Sequence, residues 1–468
     1  MERQELVSAL MQEGVLVTEE LLEQVQNGEQ PEDVPKHILK RFEKPKPRVI
    51  VKKNYDKKDK KKSYDDFVQY WRHRFNAIMR MLRSRTELQG VTSINRLQKQ
   101  SEGNIATIAM IQDKNITSKG SVILKLEDLT GEITAIVSQR DPKLLEQATN
   151  LVLDEVIGIT GNKSGDIIYV NKIVHPDIPI TNELKKQKKE EYMIVIGDPE
   201  IGGKQFLHTE WSLLTKWIKG ELGSDQQKEV AKKTKYIVIV GDLVSGVGVY
   251  PNQDKELVIK DIYEQYDEFA KLIKQFPEDK EIILCPGNHD AGRIAEPQPA
   301  IYKEFAQAIY DLPNTTMVSS PAVVNIGQTK DFPGFDILLY HGYSLIYYSD
   351  NIPLVRNSGG QKATDKIMKY LLQKRHLAPS HGSVRYIPDR EEDPLVIDTI
   401  PDFFLTGHIH RIATGNYRGV TMINAGAWTD KTVAQIKRGL EPQPARLPII
   451  NLQTRELSIM NFYQGEEE

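Results

Sequence analysis

Five short apolar stretches of this chain each run into a side chain that can bind a metal ion. The stretch MIVIGDPEIGG, residues 193–203, sets Asp198 and Glu200 one residue apart after an apolar run. On an extended chain such side chains point to the same side, so both carboxylates can reach one cation. A simple turn is the competing interpretation, because Asp, Pro and Gly are frequent where a strand ends.

The other four stretches repeat this form. They reach Asp242 in KYIVIVGDLVSG, Asn288 and His289 in KEIILCPGNHDAGR, His341 in DILLYHGYS, and His408 and His410 in DFFLTGHIHR. Each motif taken alone is more often a turn or a core residue than a ligand. In α/β sheets, however, ligands bind outside the carboxyl ends of the strands, so five such ends are expected to converge on one crevice.

The elements that must position these side chains follow from the apolar pattern. From residue 191 to 463, short apolar strands alternate with longer helical stretches, which predicts an α/β domain. Residues 66–182 predict a helix and then a small all-β unit, whose strands fit an OB-type barrel. The only aromatic residue between Gly90 and Thr181 is Tyr169. The barrel is therefore predicted to contact protein rather than stack on bases.

The first 65 residues differ in composition and spacing from the rest of the chain. Residues 1–40 carry helical spacing and predict a small helical module, and residues 41–65 are rich in lysine and proline and predict a basic flexible linker. The helix that follows places several apolar side chains on one face, which we expect to pack against the barrel: Phe67, Trp71, Ile78 and Leu82.

Length and composition limit the class of protein. A chain of 468 residues suggests roughly three domains of about 150 residues each. The single cysteine, Cys285, excludes an internal disulfide framework and any multi-thiolate zinc or iron–sulfur site, so a metal must use Asp, Glu, Asn and His. No apolar run approaches the roughly 18 residues of a membrane helix, and the N-terminus lacks signal-peptide order. We expect a soluble, cytoplasmic protein without membrane contact.

Taken together and in this order, with GHIH last, the motifs resemble those of the calcineurin-like metallophosphoesterases. The resemblance implies a two-sheet sandwich that holds two divalent metal ions, with manganese expected first and magnesium, iron or zinc as alternatives. It implies that Asp242 bridges both ions. It also implies that His289 either protonates the leaving oxygen or, as an imidazolium, stabilises the charge that develops on the phosphoryl group. The remaining ligands implied by the resemblance are Asp198 and His410 for one ion, with Glu200 in question, and Asn288, His341 and His408 for the other.

Glu200 departs from the family pattern, which is usually Asp-x-His at this strand end. In one interpretation Glu200 is a replacement ligand, since a carboxylate at this spacing reaches the same side of the strand and binds manganese well. In the other, the first metal site is weakened and the chain tends towards a non-catalytic state. We favour the first, because an idle Glu beside Asp198 and Asp242 would add charge repulsion.

The order of modules adds a second resemblance over essentially the whole chain. A helical N-terminus, a basic linker, a barrel and a phosphoesterase look like the small subunits of archaeal D-family DNA polymerases, as do LEDLTGEI, KRHLAPSHG and PLVIDTIPDFFLTGHIHR. This resemblance implies a 3′–5′ proofreading exonuclease that acts on DNA 3′ ends, forms a heterodimer with a large polymerising subunit and has a sliding clamp as a further partner.

Two alternatives stay open, namely a non-catalytic structural polymerase subunit and a free-standing phosphodiesterase. His376 and His381 lie outside the strand-end positions and are expected to be structural.

Overall fold

The computed structural model describes residues 2–27, 34–35, 49–57, 60–100, 102–432, 435 and 441–465. The chain divides into two compact units, Met1–Ile50 and Val51–Glu468. In the first unit, helices α1 (Glu2–Gln12) and α2 (Glu19–Asn27) share a small core that includes Leu6, Leu10 and Leu22. Most of the rest of the predicted 1–40 module lies outside the described residues. No helix among the described residues is long and apolar enough to cross a membrane.

A closed five-stranded barrel stands at the start of the second unit, with strand order β2–β3–β4–β6–β5. Val122, Leu124 and Leu126 of one strand all point into its core, because alternate side chains of a strand face the same side. The strands pair antiparallel except for β4 and β6, which are parallel. The elements are α4 (Ile94–Lys99), β2 (Gly103–Ile116), β3 (Val122–Asp128), β4 (Gly131–Val137), α5 (Pro142–Thr149), β5 (Val156–Ser164) and β6 (Ile167–Val174).

Two six-stranded sheets, whose strands follow the barrel in the chain except for β1, agree with the predicted mixture of strands and helices. One sheet has the order β10–β9–β8–β7–β16–β17 and the other β1–β11–β12–β13–β15–β14. Neighbours β7, β8 and β9 are parallel, as are β12 and β13, so their carboxyl ends lie at one edge of each sheet. The strands are β1 (Val49–Lys53), β7 (Tyr192–Ile196), β8 (Thr234–Val240), β9 (Glu281–Cys285), β10 (Thr315–Met317), β11 (Ala322–Ile326), β12 (Phe335–Leu339), β13 (Phe403–Thr406), β14 (Ala413–Tyr417), β15 (Val420–Asn424), β16 (Arg446–Asn451) and β17 (Leu457–Asn461).

Helices and two hydrophobic cores hold these sheets in place. Trp211 and Phe269 lie in the core of the first sheet, and Met368 and Leu371 lie in the core of the second. Each fully buried side chain of this size contributes about 1.5–3 kcal/mol. The helices are α6 (His208–Ile218), α7 (Asp225–Lys233), α8 (Ile262–Ile273), α9 (Lys303–Tyr310), α10 (Leu345–Asn351), α11 (Pro353–Arg356) and α12 (Thr364–Lys374), with 3₁₀ turns at Gln253–Lys255, Gly360–Ala363 and His381–Ser383.

Part of the segment predicted to be a flexible linker is ordered. Strand β1 lies at the edge of the second sheet, next to β11. Its lysines meet acidic partners, since Lys52 pairs with Asp336 at 2.6 Å and Lys53 with Asp398 at 3.2 Å. The prediction differs here because lysine-rich composition does not reveal that carboxylates distant in sequence will face the strand. Residues 41–48 and 58–59 of that segment lie outside the described residues.

Helix α3 (Tyr64–Arg83) begins at a capping box between Ser63 and Asp66, and its buried face matches the predicted one only in part. Ile78 and Leu82 are buried as expected, whereas the Phe67 ring is partly exposed. The helix is turned so that Arg74 points inward, where its Nε donates to Asp393 Oδ2 at 2.6 Å with both side chains almost fully buried.

Candidate metal centre

The structure brings all of the predicted site residues together where the two sheets meet. Asp198, Asp242 and Asn288 follow β7, β8 and β9 of one sheet, while His341 and His408 follow β12 and β13 of the other. Backbone contacts join the two sides. The amide of His408 donates to the Asp198 carboxylate at 3.0 Å, and His341 Nδ1 donates to the Val240 carbonyl at 3.0 Å.

One half of the site gathers around His341. Its Nε2 lies 3.2 Å from Asp242 Oδ2 and 3.0 Å from Asn288 Oδ1. Because Nδ1 already donates to a carbonyl, the Nε2 of a neutral ring carries a lone pair that would point at two oxygen atoms. A proton or a cation must therefore sit between them. Ligand atoms of Asp242, His341 and His408 all lie within 4.8 Å of one another.

The other half of the site gathers around His410. Its Nε2 lies 3.1 Å from Glu200 Oε1 and 3.7 Å from Asp198 Oδ1. Glu200 therefore faces the site rather than solvent, and it lies on the same side as Asp198. A ligand atom of Glu200 also lies within 4.8 Å of ligand atoms of Asp242 and His289, so the distances alone would allow His289 a ligand role as well.

The backbone of these residues is unusual. Five of the predicted ligands adopt left-handed φ values that non-glycine residues rarely adopt, namely Asp198 (45°), Glu200 (47°), Asp242 (47°), His408 (70°) and His410 (54°). Such a conformation costs about 1–3 kcal/mol per residue and persists only where the surrounding structure imposes it. The strand ends are thus held in conformations that aim side chains of both sheets at one point.

Glycines allow the close approach of these side chains. A Cβ atom at Gly287 would lie 2.2 Å from Asp242 Oδ1, and a Cβ atom at Gly241 would lie 2.2 Å from His341 Nδ1. Gly241 also has a φ of 80°, which a larger residue could adopt only with strain. The site therefore requires glycine at positions 241 and 287, because a larger residue would collide with a predicted ligand.

The carboxylates of the site favour the protonated form of two of its histidines. Burial by itself would lower the pKa of His341, but the Asp242 carboxylate outweighs it and raises the pKa to about 10. His410 behaves in the same way, since burial is outweighed by Glu200 and Asp198 and the pKa rises to about 9. Burial also raises the pKa of Asp198 to about 7. Cations bound here would replace these protons as the neutralising charge.

His408 gives the clearest sign that the residues fit a metal. Burial and the nearby His341 lower the pKa of His408 to about 3, so the ring is neutral. Its Nε2 atom is buried and has no hydrogen-bond partner, an arrangement that costs free energy unless the atom binds something. A neutral imidazole nitrogen close to the ligand atoms of Asp242 and His341 is a suitable ligand for a divalent cation.

His289 is oriented by a backbone carbonyl. Its Nδ1 donates to the Ser245 carbonyl at 2.9 Å, which leaves Nε2 free. Burial lowers the pKa of His289, but the Asp242 and Glu200 carboxylates outweigh burial and raise the pKa above its usual value. The backbone amide of His289 also donates to Asp242 Oδ1 at 2.7 Å, so the two residues are held together.

Sequence reasoning missed two residues that hold the site from outside. Asp290 is buried and accepts from the amides of Gly287 and Leu243 at 2.8 and 3.1 Å, which fixes the loop that carries Asn288. Its position at the end of the GNHD motif was the available signal. Gln435 lies 3.0 Å from His410 Nδ1, and nothing in the sequence around it indicates this contact.

The two histidines expected to be structural lie in other contacts. His376 is buried, and its Nε2 lies 2.8 Å from Asp393 Oδ2. His381 is exposed, and its Nδ1 lies 2.8 Å from the Tyr386 hydroxyl.

Solved structures with a partial likeness to this chain are distant. An archaeal phosphodiesterase is 12% identical with a TM-score of 0.26 and covers 57% of this chain and 98% of its own. A single mutant of Vps29 from Entamoeba histolytica is 15% identical with a TM-score of 0.28 and covers 57% of this chain and 89% of its own. Likeness at this level carries no argument about fold or function.

Sequence relatives are much closer. The family of B-type subunits of DNA polymerases alpha and epsilon matches residues 193–413. The DNA polymerase II small subunit of Methanothermobacter thermautotrophicus is 37% identical over 386 residues, which cover 82% of this chain and 77% of that protein. The same protein of Archaeoglobus fulgidus is also 37% identical and covers 82% of this chain and 75% of its own length. Identity of this extent spans most of both chains, and the chain therefore belongs to the family of archaeal DNA polymerase II small subunits.

Proposed function

We propose that this chain is the small subunit of a two-subunit DNA polymerase and carries a metal-dependent 3′–5′ exonuclease. The observation that supports this most strongly is the buried, unpartnered Nε2 of His408 in a cluster whose ligand atoms also come from Asp242 and His341. A subunit that served only as a scaffold would have no need to bury an unsatisfied nitrogen at this point.

The predicted ligands form two groups around Asp242, which faces both. Asn288, His341 and His408 would hold one cation, and Asp198, Glu200 and His410 the other. Four oxygen donors and three histidine nitrogens form a set that suits manganese, with magnesium, iron and zinc as alternatives. When bound, two such ions would neutralise charge on the phosphodiester and make an attacking water more acidic.

His289 would act as the proton donor. Its Nδ1 is held by the Ser245 carbonyl, so Nε2 is the atom that faces the substrate. The Asp242 and Glu200 carboxylates raise the pKa of His289 above its usual value, which favours the protonated ring that can give its proton to the leaving 3′ oxygen of DNA. Such a role is usually worth about 10²–10⁴-fold in rate.

Glu200 would serve as a ligand in place of the histidine of related enzymes. Its carboxylate lies 3.1 Å from His410 Nε2 and occupies the side of the strand end that faces Asp198. The distance supports the replacement interpretation over that of an idle turn residue, because the charge of an idle carboxylate would be turned towards water.

The experiment that tests the proposal uses the full chain with its large partner and a primer that carries a 3′ mismatch. We expect release of mononucleotides that requires Mn²⁺ and disappears in Asp242→Ala. Polymerisation without any release at saturating Mn²⁺ would favour the non-catalytic structural subunit. Release from diesters unrelated to DNA, unaffected by the large partner, would favour the free-standing phosphodiesterase.

The barrel and helix α3 would provide the surface for the large subunit. A groove of about 960 Å³ lies between them and is lined by apolar residues that include Phe67, Trp71 and Leu129. Its charged lining consists of three carboxylates and one guanidinium, from Glu127, Asp128, Asp154 and Arg72, so its net negative charge suits an apolar partner segment that carries a basic side chain. We propose a segment of the large subunit as the occupant, and an OB-type topology for the barrel.

A charge placed in the groove tests this surface. Leu129 is 56% exposed, so Leu129→Asp should leave the fold intact and weaken co-purification with the large subunit. Ile116, which is 62% exposed on the barrel and does not line the groove, provides the control variant Ile116→Asp. If both variants retained the large subunit equally, the proposal would be contradicted. DNA 3′ ends and a sliding clamp are the remaining proposed partners.

A further inference from the structure

An exposed tyrosine lies beside the proposed proton donor. The loop that follows β8 carries Tyr250, whose ring is 40% exposed, and its centroid lies 6.3 Å from that of His289. Val247, in the same loop, is also exposed. Among the described residues, the hydrophobic core around the first sheet does not include Tyr250. An aromatic ring therefore remains available to a ligand at the edge of the site.

A buried glutamine holds this loop in place. Gln253 is almost fully buried, accepts from the Val249 amide at 2.9 Å and donates to the Ser245 carbonyl at 2.8 Å. The same carbonyl accepts from Nδ1 of His289. One backbone oxygen thus links the loop to the proposed proton donor and fixes the distance between them.

The ring of Tyr250 has a tether of its own. Its hydroxyl donates to Glu256 Oε2 at 2.9 Å. A tyrosine held in this way loses little further freedom when a ligand stacks on it, since both the loop and the hydroxyl are already fixed. The side chain is therefore suited to binding a flat ligand group.

We infer that Tyr250 stacks on the base of the penultimate nucleotide and so selects DNA whose 3′ end is unpaired. The inference rests on the proposed exonuclease function. In 3′–5′ hydrolysis the terminal phosphodiester breaks, water adds to phosphorus, and the penultimate 3′ oxygen leaves with a proton. Because His289 would supply that proton, a ring beside His289 lies on the side of the penultimate nucleotide.

Stacking on an aromatic ring explains selectivity for melted ends without reading of sequence. Every base has a π-face, so stacking tolerates all four bases and strengthens binding about 5- to 150-fold per base. A base inside a duplex is already stacked between its neighbours and cannot turn onto a protein ring at no cost. A mismatched end loses less pairing and stacking free energy when it melts, and its penultimate base therefore reaches Tyr250 more often.

Binding can be tested without hydrolysis. The probe is DNA with the fluorescent base 2-aminopurine at the penultimate position, bound to the full chain with its large partner in Ca²⁺. Wild type and Tyr250→Phe should quench the probe by stacking, and Tyr250→Ala should not. Tyr302 is 43% exposed, and none of its described contacts involves a predicted ligand, so Tyr302→Ala is the matched control and should quench like wild type.

Cleavage rates provide the second measurement. Tyr250→Ala should cut a mismatched primer about tenfold more slowly than wild type, and this loss should shrink several-fold when the penultimate nucleotide lacks its base. Equal quenching by wild type and Tyr250→Ala, or an equal loss on the abasic primer, would overturn the inference. A wild type that quenches the probe but releases no nucleotide from any primer would overturn the proposed exonuclease and leave the stacking contact supported.

Discussion

Raising the pH should tighten metal binding by the chain, because protons and cations compete for the same histidine nitrogens. Without metal, His410 has a pKa of about 9 and His341 a pKa of about 10. Both values lie above that of a free histidine, so both rings are protonated at neutral pH. A cation that binds Nε2 of either ring must displace one proton.

The size of the effect follows from these values. At pH 7, about one His410 ring in 100 and about one His341 ring in 1,000 are neutral. The competition lowers the apparent affinity on the order of 100-fold on the His410 side, equivalent to about 3 kcal/mol, and on the order of 1,000-fold on the His341 side. Affinity for the ion beside His341 should therefore rise about tenfold per pH unit between pH 7 and 8.5, and affinity for the ion beside His410 should rise somewhat more steeply near pH 7, where Asp198 also loses its proton.

Isothermal titration of the metal-free chain with Mn²⁺ at several pH values measures this dependence. Parallel titrations at pH 8 in two buffers of different ionisation enthalpy count the protons released, and we expect about one per ion. Asp198 contributes little at pH 8, since its pKa is about 7. The exposed His381 provides the control variant His381→Gln, which should behave like wild type. An affinity that is flat over this range, with no proton release, would refute the reasoning.

Three further predictions concern single residues. Asp242→Ala should bind neither ion, whereas His289→Ala should keep both ions and hydrolyse DNA about 100-fold more slowly. Metal analysis together with a nuclease assay distinguishes the two variants. Equal metal loss in both would rule out the proton-donor role of His289. Glu200→Ala should reduce the number of bound ions from two to one. Glu200→His should restore the second ion and lower the pH optimum of hydrolysis. An unchanged metal content in Glu200→Ala would assign Glu200 to the turn alone. Asp393→Ala should lower the free energy of unfolding in urea by about 3–5 kcal/mol, because a buried guanidinium loses its counter-charge. The control Asp398→Ala removes a carboxylate that is more than half exposed, so it should lower the free energy of unfolding far less. Equal decreases in the two variants would contradict this account.

Local patterns in the sequence were sufficient for much of the fold. Alternation in β3 predicted that Val122, Leu124 and Leu126 share one face, because a strand has a period of two residues whatever it packs against. The five apolar stretches that run into Asp, Asn or His predicted a common site, since parallel strands end at the same edge. Those inferences depend on neighbouring residues, which a sequence displays directly.

The tertiary structure decided what depends on residues far apart in the chain. Strand β1 is ordered because Asp336 and Asp398 face its lysines, and helix α3 is rotated because Arg74 meets Asp393. The position of Glu200 opposite His410 was likewise undecided in the sequence, where a turn and a ligand looked alike. Composition and spacing fix the chemistry that is available along a chain, but distances between atoms of separate strands arise only when the sheets pack together.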